Sequence, residues 1–262
     1  MPIKAKKSLG QNFLIDREVL DQIVSTCDIT NKEILEIGPG TGNLTTYILK
    51  KNPKKFYVIE KDDELVILLN EKFNKEIIII NDDILKVNED KISEQKLTVF
   101  GNLPYNISTE ILSKWVSNID STFWFESLVF MFQKEVADRI IAKSNNSNYG
   151  RLSILTNWKL NVKKIMDIKP QSFSPRPKID SSLLLFTPKE NFFKLKNAKN
   201  LEMITRIFFS QRRKMLKKPF NQIFNNANEV AKKFNIDLNL RPQNLEPEMY
   251  FKLTKEYENL RS

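Results

Sequence analysis

Short apolar runs alternate with helically spaced apolar positions over most of the first two thirds of the chain. The runs Glu33–Ile37, Phe56–Glu60, Ile77–Ile80, Leu97–Phe100 and Leu128–Phe132 are too short for buried helices, and Gly, Pro, Asn or Asp residues lie close to most of their ends. They therefore predict strands. Between them, apolar residues recur at helical spacing: Leu44, Tyr47 and Ile48; Leu65, Leu68, Leu69 and Phe73; Ile111, Leu112 and Trp115; Val136, Ala137, Ile140 and Ile141. Asp16 is placed to cap an earlier helix carrying Val19, Leu20, Ile23 and Val24, and Ser108 to cap the helix carrying Ile111. Strands alternating with helices imply right-handed βαβ units and a parallel sheet. Two further strands, Val162–Ile168 and Leu183–Phe186, flank a proline-rich loop from Pro170 to Pro177. After Pro188 the pattern changes to the charged stretch Lys189–Lys199, followed by short helices at Leu201–Phe209, past Phe220 and at Ala227–Phe234. The expectation is an α/β domain over residues 1–188 and a small helical domain over 189–262.

The strand ends carry the chemistry. Glu36 to Gly42 closes a strand and opens a helix; its glycines admit a ligand close to the backbone, and the helix N-terminus offers free N–H groups. Glu60, 20 residues beyond Gly40 at the next strand end, is placed to accept hydrogen bonds from ribose hydroxyls. This loop alone fits a dinucleotide as well as S-adenosylmethionine. Asp83, past the third strand, can accept from an adenine amine and favours the latter; it can equally cap a helix. Pro104 ends the fourth strand because it has no N–H for a ladder. The residues around it, Asn102-Leu103-Pro104-Tyr105, offer an amide oxygen, a carbonyl turned away from helical geometry and an aromatic face. That set suits a planar exocyclic amine such as N6 of adenine, unless Tyr105 packs in the core. Phe173, between proline turns, can stack on a base or lie under the sheet.

Composition narrows the partner. The chain has 42 Lys and Arg against 32 Asp and Glu, a net charge of +10, which points to a nucleic acid. The densest run, Gln211-Arg212-Arg213-Lys214 with Lys217 and Lys218, reads as a phosphate contact or as a solvated helix face. With no His, a Ser-His-Asp triad, a Cys-His dyad and any His-based zinc site are excluded. A single cysteine, Cys27, forbids an internal disulfide and fits a reducing compartment. The basic N-terminus lacks the apolar core of a secretory signal, and no apolar run spans a bilayer. A cytoplasmic protein with no membrane partner is expected.

Five motifs occur in order: Gln11-Asn12-Phe13-Leu14, Glu36 to Gly42, Asn102 to Tyr105, Phe173 to Ser181, and Gln211 to Lys214. With these motifs in register, the chain resembles, over essentially its whole length, the ribosomal RNA adenine N6-dimethyltransferase family, most closely its bacterial small-subunit members. The resemblance implies a class I, Rossmann-like methyltransferase fold with a mostly parallel seven-stranded sheet and a helical C-terminal domain. It implies S-adenosylmethionine as donor, no metal, a monomer, and dimethylation of two adjacent adenosines in a hairpin loop near the 3′ end of 16S rRNA in the 30S subunit, together with a role in ribosome biogenesis. By motif, the donor residues would be Asn12, Leu14, Gly38, Gly40, Glu60, Asp83 and Asn102. Catalysis would fall to Asn102, Leu103, Pro104 and Tyr105, base stacking to Tyr105 and Phe173, and RNA binding to Lys6, Lys7, Arg212, Arg213 and Lys214. The family often has His in the basic N-terminal segment, where this chain has Lys7 or Ser8. Three rivals stand beside this reading. An NAD-dependent oxidoreductase lacks a suitable proton donor, because the Tyr-x-x-x-Lys pairs Tyr47–Lys51 and Tyr57–Lys61 fall late in a helix and inside a strand. A non-catalytic ribosome-assembly factor and a 23S rRNA adenine methylase are the others.

Overall fold

The structure is a computed structural model that describes residues 6, 11–105, 107–119 and 122–261. Its centre is a seven-stranded sheet in the order β4-β3-β2-β5-β6-β9-β7: Ile78–Asn81, Lys55–Glu60, Glu33–Ile37, Leu97–Gly101, Phe125–Gln133, Ser181–Pro188 and Leu160–Ile168. The pairs β2–β3, β3–β4, β2–β5 and β5–β6 are parallel, and β6–β9 is antiparallel. Strands β2 and β5 are buried along their whole length, as central strands of a sheet covered on both faces should be, and β2 buries Glu33 and Glu36 among its apolar residues. The connecting helices are α2 (Asn43–Leu49), α3 (Asp63–Phe73), α4 (Ser108–Asn118) and α5 (Lys134–Ile141). Helix α1 (Arg17–Val24) is capped as expected: the Asp16 carboxylate accepts from the N–H groups of Glu18 and Val19.

Strand order reverses between β2 and β5, and ligands of open α/β sheets bind at this point. The register decides which residues meet there. Ile37 lies opposite both Ile59 and Gly101, and Glu60 opposite Asn81. The Gly38 loop, Glu60, the turn after Asn81 and Asn102 therefore leave neighbouring strands at the same edge.

A second, two-stranded sheet was not foreseen. Phe13–Leu14 (β1) pairs antiparallel with Phe173–Ser174 (β8), Leu14 opposite Phe173. The junction is tightened by hydrogen bonds from Ile15 N–H to the Ser172 carbonyl (2.8 Å) and from the Ser172 hydroxyl to Asp16 (2.9 Å).

The chain divides into two compact units: Met1–Leu112 with Ser121–Ala137 and Val162–Pro188, and Ser113–Asp120 with Asp138–Asn161 and Lys189–Ser262. A single boundary after Pro188 thus becomes a discontinuous one, with residues 113–120 and 138–161 grouped with the C-terminal helices. Those helices are α7 (Ala198–Ser210), α8 (Lys217–Ile223), α9 (Ala227–Lys233) and α10 (Pro247–Asn259), joined by α6 (Arg151–Lys159). Helix α6 carries no clear one-sided pattern. In α6, Ser153 to Thr156, Trp158 and Lys159 are all buried. The Lys159 ammonium is accommodated by donating to the carbonyls of Val116 (2.8 Å) and Ile119 and by lying 3.9 Å from the Trp158 ring. No described helix is long and apolar enough to cross a membrane.

Candidate active site

A cavity of about 280 Å³ opens at the strand-order reversal. Of the residues expected to bind a donor, Asn12, Gly38, Gly40, Glu60, Asp83 and Asn102 line it, as do Leu103, Pro104 and Tyr105. Leu14 does not. Its side chain is 4% exposed and belongs to the core, while its carbonyl accepts from Asn43 Nδ2 at 2.7 Å and so ties β1 to the start of α2. Leu14 thus helps place the wall without forming it.

The glycine loop is shaped by backbone conformations that side chains disfavour. Gly38 and Gly40 have φ of +65° and +59°, and a Cβ on Gly40 would lie 2.8 Å from the Phe13 ring. Two carboxylates brace the loop. Glu60 Oε2 accepts from Gly40 N–H (3.3 Å), and Oε1 accepts from the N–H groups of Lys61 and Asp62 (2.9 Å each). Burial pushes the Glu60 carboxyl above its ordinary range, and those three N–H donors pull it back. Glu36 is fully buried, accepts from the Thr45 hydroxyl at 2.7 Å, and is pushed up to about 8 by burial. Lys72, absent from the sequence reading, donates to the carbonyls of Thr41 (3.0 Å) and Gly42 (3.3 Å), closing the far side of the loop.

Asp83 faces the cavity from the turn after β4. Its Oδ2 is 2.7 Å from the Lys61 ammonium and its Oδ1 accepts from Leu85 N–H at 3.1 Å; the Lys61 bond, then the Leu85 bond, hold the carboxyl below its usual range. Asp83 thus lines the cavity and its carboxylate braces the turn after β4; among the described residues it caps no helix. Ile59, Leu65, Ile84 and Leu85 add apolar wall. Only Ile59 carried a signal, its place beside Glu60 at a strand end.

Asn102 donates from Nδ2 to the Asn12 carbonyl at 2.8 Å, which pins the N-terminal segment across the cavity. Among the described residues neither Asn102 Oδ1 nor the Leu103 carbonyl has a hydrogen-bond partner. Two acceptors are thus left for a ligand. Tyr105 is half-buried, its hydroxyl 2.6 Å from Ser181 Oγ, and burial raises its pKa, so the phenol stays neutral at physiological pH.

Three expected contacts are corrected. Phe173 is 1% exposed, does not line the cavity and belongs to the core cluster that holds Leu14, Met131 and Leu183. Pairing of β8 with β1 buries its ring in that core. Lys6 is taken up by Asp62 (2.7 Å) and Glu64 (3.1 Å), and Gln11 Nε2 joins the same Asp62 carboxylate at 3.0 Å, so Lys6 is not a free cation for phosphate. Arg212 donates to Gln243 Oε1 (3.2 Å) and the Asn146 carbonyl (3.1 Å), which makes it an internal tie of the C-terminal unit. Lys7 lies outside the described residues. Arg213, Lys214, Lys217 and Lys218 make no ion pair among the described residues, and all four are exposed.

A Rossmann-like sheet with a glycine loop, a ribose-type carboxylate at the second strand end and open acceptors at the fourth defines an S-adenosylmethionine-dependent methyltransferase. The residue set fits such a donor: a carboxylate for a diol, apolar wall beside Asp83 for a purine, and a glycine backbone where a Cβ would collide. The chain belongs to the ribosomal RNA adenine dimethylase family, whose model matches residues 3–259. It is 82% identical over 261 residues to the ribosomal RNA small subunit methyltransferase A of Pelagibacter ubique, covering 100% of both chains. It is 43% identical to the protein of the same name from a Wolbachia of Drosophila simulans, covering 98% of this chain and 95% of that one. Among solved structures, a dimethyladenosine transferase from Plasmodium falciparum superposes with a TM-score of 0.78 at 27% identity, covering 94% of this chain and 98% of that one. The 23S rRNA methyltransferase ErmE shares the fold, with a TM-score of 0.69 at 20% identity, covering 94% and 100%.

Glu60→Gln tests the donor assignment. Losing the charged acceptor is expected to weaken donor binding by about 1.5–3 kcal/mol, roughly ten- to hundredfold. Calorimetry giving an unchanged dissociation constant for a folded variant removes Glu60 from the site.

Proposed function

We propose that the protein transfers methyl groups from S-adenosylmethionine to N6 of two adjacent adenosines in a 3′-terminal hairpin loop of 16S rRNA within the 30S subunit. The observation that carries this reading is the pair of open acceptors, Asn102 Oδ1 and the Leu103 carbonyl, at the cavity wall beside Tyr105. Full-length 82% identity to a small-subunit methyltransferase supports the 16S substrate over a 23S one.

The N6 lone pair of adenine is delocalised into the ring and is a poor nucleophile. Asn102 Oδ1 and the Leu103 carbonyl would accept the two N6–H groups, favour a tetrahedral nitrogen and localise that lone pair. Tyr105 would stack on the base, which must leave its own stack to enter. The donor supplies a methyl group on a positively charged sulfur. Glu60 would hold its ribose, and Asp83 with the neighbouring apolar wall its adenine. Once alkylated the nitrogen is strongly acidic, so no histidine-type base is needed. Catalysis is orientation and electrostatic placement by this chain's own groups. Pro104 contributes through the backbone: its carbonyl accepts from Ile107 and Ser108 N–H (3.1 and 3.2 Å), which fixes the turn that presents Leu103 and Tyr105.

The test is methyl transfer from labelled donor to 30S and 50S particles with the product nucleoside identified. Dimethyladenosine in 16S rRNA is expected; label confined to 50S particles, or no adenine product, overturns the reading.

The C-terminal helical unit would hold rRNA through Arg213, Lys214, Lys217 and Lys218. Replacing Arg213 and Lys214 with Ala should flatten the salt dependence of 30S binding by up to about 0.7–0.9 log units per lost phosphate contact. Lys6→Gln should leave that slope at its wild-type value, because its ammonium is already paired with Asp62. A wild-type slope for the Arg213/Lys214 variant returns the cluster to a solvated face.

A further inference from the structure

Ser181 takes no part in the chemistry above, yet its position is fixed with unusual completeness. It opens β9, is 0% exposed, and lies opposite Gln133 in the pairing with β6. The residue before it is held too: the Asp180 carbonyl accepts from Lys134 N–H at 2.9 Å, and the Asp180 carboxylate is 2.7 Å from the Lys169 ammonium. Its hydroxyl meets the Tyr105 hydroxyl at 2.6 Å, a contact between residues 76 apart in the chain.

The two ends of Tyr105 are therefore held by different parts of the fold. Its backbone follows Pro104 and sits in the turn closed by Ile107 and Ser108 N–H. Only the two side-chain torsions remain, and a hydroxyl anchored on a buried sheet residue fixes both. Without the anchor, the ring of a half-buried tyrosine can swing within its wells, and the face offered to a base is no longer constant.

We infer that Ser181 is a positioning residue for methyl transfer: by hydrogen-bonding the Tyr105 hydroxyl it sets the plane of the aromatic ring against which the target adenine lies. The inference rests on the reading of Tyr105 as the base platform. It gives the segment Phe173 to Ser181 a role at the site through its last residue, while its first, Phe173, serves the core.

Single-turnover methyl transfer to 30S particles at saturating donor, with Ser181→Ala, Tyr105→Phe, the double variant and Tyr105→Ala, tests it. Ser181→Ala removes one buried oxygen, and Tyr105→Phe removes the other partner while keeping the ring. Each is expected to slow the rate about tenfold, since small misplacements of a reacting group cost one to two orders of magnitude. The double variant should be no slower than either single one, because both remove the same bond. Half-saturating concentrations of donor and 30S particles, and the urea unfolding midpoint, should stay at wild type; a general loss of structure would move all three.

A wild-type rate for Ser181→Ala or for Tyr105→Phe overturns the inference, as does a double variant slowed by the product of the two effects. If Ser181→Ala does not fold, Tyr105→Phe alone still decides, since the ring without its hydroxyl must then be slow. Tyr105→Ala separates the two levels. A slow Tyr105→Ala with wild-type Tyr105→Phe and Ser181→Ala leaves the platform standing and removes the anchor. A wild-type rate for Tyr105→Ala removes the platform itself, and the anchor with it.

Discussion

Asn102→Ala is expected to slow single-turnover methyl transfer to 30S particles about 10²–10³-fold, or roughly 3–4 kcal/mol, the cost of deleting one preorganised polar contact to a reacting group. RNA affinity should barely move, because phosphate contacts supply most of it. Donor affinity should fall modestly, since the same side chain holds the Asn12 carbonyl at 2.8 Å and with it the segment that lines the cavity. Asn102→Asp divides the two jobs. It keeps an acceptor for N6–H, but it sets a carboxylate oxygen where an NH₂ group now meets a carbonyl. If the acceptor is what matters, Asp retains more turnover than Ala. If the tether to Asn12 matters as much, Asp does no better, and its donor affinity drops with its rate. An Ala variant at near wild-type rate ends the catalytic assignment.

Phe173→Ala is expected to act on stability. The ring is 1% exposed within the core cluster under β1, and removing a buried phenyl costs about 3–5 kcal/mol, the lost transfer energy plus the cavity left behind. The urea midpoint should fall accordingly. At low temperature, where the variant stays folded, methyl transfer should run close to wild type. The opposite pattern, a small stability change with a rate lost a hundredfold or more, on the scale of a deleted catalytic contact, would place the ring against a base and require β8 to part from β1 during the reaction.

These two residues mark the division between what could be read from the chain and what could not. Asn102 was legible because its chemistry is local: a strand end, a proline that redirects the next carbonyl, and an aromatic occupy four consecutive positions. Glu60 and the Gly38 loop were legible for the same reason, each declared by its place at the end of a short, mostly apolar run. The alternation of strands and helices likewise required the parallel sheet and its crevice, because only one hand of crossover packs helices back onto a twisted sheet.

Phe173 was not legible. An aromatic between prolines reads the same whether it is buried or offered to a ligand, and only its pairing with Leu14, far back in the chain, turns it inward. Lys6 and Arg212 looked like free cations in basic runs; their partners, Asp62, Gln243 and Asn146, lie 56, 31 and 66 residues away. Helix α6 gave no signal because it is buried on nearly every side, and burial all round erases the one-sided period by which helices are recognised. The discontinuous second unit escaped for a related reason, since grouping 113–120 and 138–161 with the C-terminal helices depends on contacts, which composition does not record. By itself the sequence determined the architecture of the sheet and the polar groups at its carboxyl edge, which follow from local geometry. The tertiary structure decided which aromatic is core and which is at the cavity, which cations remain unpaired, and what holds Tyr105 in place, because each depends on a partner that only folding brings near.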